Sequence, residues 1–232
     1  MESSTCLFIK HVPFEGPGVI ESWALERNFE TRTEFARTVD ASILCDADLL
    51  VIMGGPYGVS DADRLPWFRK EHEAIGERTK SGAPTIGVCL GAQLLSSALG
   101  GEVTTGRSEI GWHDVAPGTY LASIEGFDRN FEAFHWHGDT FSLPPGGLRL
   151  FSSEACGEQG FLYERNLALQ FHLEVDIDGV DALIKACAGD LANSNLKPYV
   201  QSEQQIRKSG DITAMHRRLF HLLDWYLDDV VG

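Results

Sequence analysis

Apolar residues recur along the first hundred positions in two alternating rhythms. Thr5 to Val12 carries Leu7, Phe8, Ile9 and Val12 in a short run that reads as a strand. Gly16-Pro17-Gly18 breaks it before Ile20, Trp23, Ala24 and Leu25 at helical spacing. A short strand near 33–37 follows, then Ala47 to Met53 as a buried strand ending at Gly54-Gly55-Pro56 and a helix over Pro66 to Lys80. Thr85 to Val88 is again a strand. Leu90, Leu94, Leu95, Ala98 and Leu99 trace a helix that Gly100-Gly101 stops. Strands without a polar face, alternating with helices, predict an α/β fold built on a mostly parallel open sheet with helices on both faces.

Beyond Glu102 the rhythm shortens to strand-like pieces at 102–105, 148–152, 160–163 and 167–171, which predict some antiparallel pairing. Ile177 to Leu191 reads as a helix. Met215, Leu219, Leu222, Leu223 and Tyr226 form an apolar stripe that fits a core-facing C-terminal helix better than a partner-binding one. With no linker, repeat or low-complexity tract, residues 1–232 are expected to form one domain, with a C-terminal helical extension from about 195 to 232.

Composition narrows the chemistry. The chain is 43% hydrophobic and 23% charged, with a net charge of -15, which argues against nucleic acid or an anionic membrane as partner. His216-Arg217-Arg218 is a local basic exception, expected on a helix surface. Five widely spaced cysteines without a Cys-x-x-Cys pair indicate neither a disulfide framework nor a zinc knuckle, and they suit a reducing compartment. With no signal-like N-terminus and no apolar run of membrane-spanning length, a cytoplasmic location is expected.

Cys89 is the candidate nucleophile. Gly87-Val88-Cys89-Leu90-Gly91-Ala92-Gln93 is a strand turning sharply into a helix, and its glycines clear space for a tight turn that projects the thiol. The helix N-terminus favours thiolate over thiol. A base and an orienting acceptor are offered by His172 and Glu174 in Gln170-Phe171-His172-Leu173-Glu174. If the strand from Leu167 continues through Glu174, both point to one face. Alone, a His-x-Glu pair is more often a surface hydrogen bond; Cys89 gives it meaning. Gly55, at the carboxyl end of an apolar strand, could pair its amide with that of Leu90 to stabilise an oxyanion.

These three segments, in this order, resemble those of the class I, triad-type glutamine amidotransferases. The likeness extends to stand-alone members similar to the glutaminase domain of GMP synthase, whose segment beside the active site is similar to His135-Trp136-His137-Gly138-Asp139-Thr140-Phe141. The resemblance implies a flavodoxin-like fold, Cys89 attacking the glutamine amide, His172 as general acid and base, Glu174 orienting it, and Gly55 and Leu90 as oxyanion donors. It further implies that Gln93, Gly138 and Asp139 contact the substrate and that no cofactor is needed; either a separate synthetase or ligase subunit receives the ammonia, or free γ-glutamyl amides are simply hydrolysed. The chain has no phosphate loop of the P-loop or pyrophosphatase kind to activate an acceptor.

Three other readings stay open. A γ-glutamyl peptidase or hydrolase would use the same triad and thioester but release an amine from a conjugate. A non-catalytic regulatory or binding subunit would keep the fold alone. His135-x-His137-x-Asp139 begins a zinc-ligand run, but Thr140 stands where another histidine is wanted, so no metal is expected.

Overall fold

Nine strands lie in the order β2-β1-β3-β4-β9-β8-β7-β5-β6 in the computed structural model, which describes residues 4–232 except 193 and 209. Five neighbours are parallel: β2 (Glu30–Phe35), β1 (Thr5–Lys10), β3 (Leu49–Ile52), β4 (Thr85–Val88) and β9 (Asn166–Leu169). The antiparallel remainder is β8 (Gly160–Tyr163), β7 (Leu148–Ser152), β5 (Val103–Pro117) and β6 (Phe131–Phe141).

Period-two alternation divides the central strands between two apolar layers. Cys6, Phe8, Leu49, Val51, Ile86 and Val88 face one layer, and Leu7, Ile9, Leu50 and Ile52 face the other. The first is covered by α1 (Val19–Glu26), α4 (Ile177–Ala186) and α6 (Ile212–Trp225), through Trp23, Leu183, Leu219 and Leu223. The second is covered by α2 (Pro66–Ser81) and α3 (Leu90–Ala98), through Phe68, Ile75, Leu94 and Leu95. A short α5 (Glu203–Ile206) opens the approach to α6, which is held to α1 where Asp224 accepts from Trp23 Nε1 at 2.8 Å and Arg27 Nε at 2.7 Å.

One cation is taken into this core. Arg78 is fully buried and donates to Thr85 Oγ1 at 3.0 Å and to the carbonyls of Leu44, Ala47 and Pro84 at 2.8, 2.9 and 2.7 Å. It ties α2 to the entry of β4. At the other end of the chain, the buried Tyr226 hydroxyl donates to the Arg165 carbonyl at 2.7 Å, fastening the C-terminal segment to the start of β9.

Several expectations need correction. The 102–105 strand is the start of a fifteen-residue strand, interrupted where its pairing with β6 shifts between Thr105 and Glu109. The polar run Gly106-Arg107-Ser108 at that bulge hides the continuity. The strand expected to reach Glu174 stops at Leu169, and His172 is held instead by an isolated bridge to Phe134. The segment at 177–191 is helical only to Ala186 before a 3-10 turn at Ala188–Leu191. His216-Arg217-Arg218 does lie on the surface of α6, where His216 bonds the Val175 carbonyl at 2.8 Å and Arg218 lies 4.3 Å over the Phe131 ring.

Candidate active site

The sheet brings together the carboxyl ends of three adjacent parallel strands. Gly54-Gly55 follows β3, Cys89 follows β4, and the segment from Gln170 to Glu174 follows β9. Ligand sites of open α/β sheets gather at such an edge.

Cys89 occupies the turn itself, with φ at 52° and ψ at -106°, a backbone region that a side-chain-bearing residue seldom enters. Its amide donates to the Leu169 carbonyl at 2.8 Å, so β9 pins the turn. The flanking glycines answer to contact. A Cβ on Gly87 would meet the Gly91 carbonyl oxygen at 2.4 Å, and one on Gly91 would meet the Ile52 carbonyl oxygen at 2.1 Å. Cys89 is only 6% exposed, and its thiol faces the Trp136 carbonyl at 3.7 Å.

Behind it, His172 Nδ1 donates to Glu174 Oε1 at 2.7 Å, and both residues are buried. Burial opposes charge on this imidazole. Glu174 and the neighbouring Cys89 thiol overcome that penalty and hold His172 well above the ordinary histidine range. Its Nε2 has no hydrogen-bond partner among the described residues.

Cys89, Gly55, Leu90, Gln93, Gly138 and Asp139 all line one cleft of about 320 Å³. His172 and Glu174 line a smaller cavity, of about 140 Å³, beside it. Leu90 opens α3, so its N–H is among the first-turn donors that the helix leaves unpaired. The Gln93 side chain donates to Gln170 Oε1 at 3.2 Å, which fixes it against the β9 end.

Two acidic groups and one histidine that no sequence motif singles out also stand here. Glu15, in the loop after β1, borders both cavities, and its Oε2 would lie 2.1 Å from a Cβ on Gly54. Burial, and then the Glu174 charge, raise its carboxyl above the usual range, with His172 and His11 opposing. His11 is buried between the Gly54 carbonyl, 3.0 Å from Nδ1, and Glu71, whose two oxygens lie 3.1 and 3.2 Å from Nε2. Burial disfavours its charge but Glu71 more than compensates, so the ring is raised toward the imidazolium. The periodicity of Val12 and Phe14 gives no hint of either role; only the fold brings 11 and 15 beside 54.

A metal could be held only by Glu109, His135 and His137 among the described residues. Glu109 comes from the paired strand β5, and Asp139 is not part of the group. Glu109 Oε2 already accepts from Gln159 Nε2 at 2.6 Å and Ser153 Oγ at 3.0 Å. His135 is fully buried with neither ring nitrogen in a hydrogen bond among the described residues. Burial and the neighbouring histidines push it well below the ordinary range, so it is a neutral ring.

The family model described as glutamine amidotransferase class-I matches residues 24–188. A glutamine amidotransferase-like protein, YfeJ, of Salmonella typhimurium is 28% identical over 229 residues, covering 94% of this chain and 95% of that one. A glutamine-hydrolyzing GMP synthase subunit of Sulfurisphaera tokodaii is 33% identical over 137 residues, covering 57% of this chain and 70% of that one. Among solved structures, a glutamine amidotransferase of Thermotoga maritima superposes with a TM-score of 0.82 at 29% identity, over 98% of this chain and all of that one. One from Methylobacillus flagellatus gives 0.89 at 28% identity, over 99% and 96%.

Proposed function

The chain belongs to the class-I glutamine amidotransferases, a family of cysteine-dependent amidohydrolases, and on that premise we propose that it hydrolyses the side-chain amide of glutamine through a γ-glutamyl thioester on Cys89. The observation that carries this reading is the 2.7 Å bond from His172 to Glu174 beside a thiol held at positive φ.

The Cys89 thiolate attacks the amide carbon, and the Gly55 and Leu90 amides stabilise the oxyanion that forms. Collapse breaks the carbon–nitrogen bond as the His172 imidazolium gives its proton to the departing nitrogen. Ammonia leaves. Water, deprotonated by the now neutral His172, then attacks the thioester, releasing glutamate and restoring the thiolate–imidazolium pair. Glu174 keeps the ring oriented and its charge compensated throughout. Gln93, Gly138 and Asp139 hold the amino-acid end of the substrate in the larger cleft.

A synthetase or ligase is the proposed recipient of the ammonia, a reading supported by the likeness to a GMP synthase subunit. No helix among the described residues is long and apolar enough to cross a membrane. Mass spectrometry after treatment with a glutamine-like diazoketone tests the nucleophile. One adduct on Cys89 and none in Cys89→Ser is the expected result; a wild-type chain that stays unlabelled and releases no ammonia from glutamine would overturn the reading.

A further inference from the structure

The side chain of Glu15 stands between the two cavities with no hydrogen bond or ion pair among the described residues. Glu15 is partly buried, and the fully enclosed His172 next to it has an Nε2 with no hydrogen-bond partner among the described residues; buried polar atoms normally have a partner. The Glu15 carboxylate is pressed against Gly54, where a Cβ would lie 2.1 Å from Glu15 Oε2 and 3.4 Å from His172 Cε1. The carboxylate is therefore on the His172 side of the thiol, the side from which a departing nitrogen must take its proton.

The 140 Å³ cavity lies on that same side. His172, Glu174 and Glu15 border it together with Asp176, while Phe14 and Val175 supply apolar wall; no lysine or arginine does so. Three carboxylates around the single His172 ring suit a small group that donates hydrogen bonds.

Resting on the proposed roles of Cys89 and His172, we propose that Glu15 and this cavity form the leaving-amine subsite, which selects γ-glutamyl amides of ammonia or of a short uncharged-chain alkylamine. Glu15 accepts a hydrogen bond from the N–H of the scissile amide and so turns the nitrogen lone pair toward His172. When the carbon–nitrogen bond breaks, the His172 proton passes to nitrogen, and the neutral amine departs past the carboxylates, which accept its N–H bonds. A γ-glutamyl peptide would instead bring its own carboxylate against Glu15 and Glu174. The subsite thus favours the glutaminase over the γ-glutamyl peptidase.

The test compares wild-type and Glu15→Gln chains on three substrates and one label. Wild type is expected to turn over glutamine and γ-glutamyl ethylamide within about tenfold of each other, and γ-glutamyl glutamate at least about 100-fold more slowly, as a like-charge contact in a buried site requires. Glu15→Gln is expected to lose about tenfold or more in kcat/KM for glutamine, the worth of one hydrogen bond to a charged acceptor. Its rate of labelling at Cys89 by the diazoketone, which has no leaving amine, should stay within about threefold. Faster turnover of γ-glutamyl glutamate than of glutamine, glutamine turnover unchanged in Glu15→Gln, or labelling lost in parallel with turnover would each overturn the subsite. Failure of the wild type to be labelled at all would instead remove the nucleophile assignment beneath it.

Discussion

His11 Nδ1 donates to the Gly54 carbonyl oxygen across 3.0 Å, and because the Gly54–Gly55 peptide is planar and trans, the Gly55 N–H must point the opposite way. His11 thereby sets the direction of one proposed oxyanion donor without touching the substrate. Glu71 raises the ring toward the imidazolium, the form in which both nitrogens donate. Replacing the pair by His11→Phe with Glu71→Leu leaves no buried charge unpaired. It is expected to lower kcat about 10- to 100-fold with KM little changed, as loss of a transition-state donor does. Steady-state kinetics on glutamine check this, and a change confined to KM would contradict it.

Removing the proposed base has a larger effect. His172→Ala is expected to abolish glutamine turnover by at least about 1,000-fold while circular dichroism remains that of the wild type, since His172 is held by backbone bonds to Phe134, at 2.7 and 3.3 Å, that alanine retains.

The pH dependence follows from His172. Its folded-state pKa lies above the free value of about 6.5. The stability contributed by the His172–Glu174 pair is therefore complete below that free value and disappears as pH rises through the folded-state pKa. Glu174→Gln lowers the folded-state value. Both the decline of melting temperature on the alkaline side and the alkaline limb of kcat/KM should then move to lower pH, as thermal scans and rate profiles would record. An unmoved limb would mean that it reports another group.

Arg78 makes a prediction about stability alone. Arg78→Met removes the donor from one buried and two partly buried carbonyls and from the Thr85 hydroxyl, which should cost roughly 3–5 kcal/mol and lower the melting temperature by about 10 °C. Kinetic constants measured well below the transition should be unaffected, because Arg78 lies away from the cleft.

Chelation tests the Glu109, His135 and His137 group. Since the proposed chemistry of Cys89, His172 and Glu174 needs no metal and Glu109 is already hydrogen-bonded by Gln159 and Ser153, dialysis against a strong chelator should leave both melting temperature and glutamine turnover unchanged. Restoration of lost activity by added zinc would refute this.

Whatever a single segment encodes is legible in the sequence. The Cys89 turn is legible because Gly87 and Gly91 mark close contacts that no Cβ can enter, and β1, β3 and β4 because burial on both faces leaves them largely apolar. Edge strand β2 lies a few residues before its expected place, since Glu30, Arg32 and Glu34 give it no apolar run. His11 and Glu15 are illegible for a different reason: each acts through Gly54, some forty residues away, and nothing in the spacing of a loop encodes that approach. Glu109 likewise joins His135 and His137 only through strand pairing across the β5–β6 hairpin.

The segment bearing His172 is also bound to the beginning of the chain, for the Val19 amide donates to the Glu174 carbonyl at 3.0 Å, and a Cβ on Gly18 would meet that oxygen at 2.1 Å. During synthesis, β1 to β4 and the Cys89 turn emerge long before residue 174, so a ribosome-bound chain presents the thiol without its imidazole. On the proposed roles of Cys89 and His172, reactivity toward glutamine is deferred until late in translation, and a chain cut short before β9 is expected to release no ammonia.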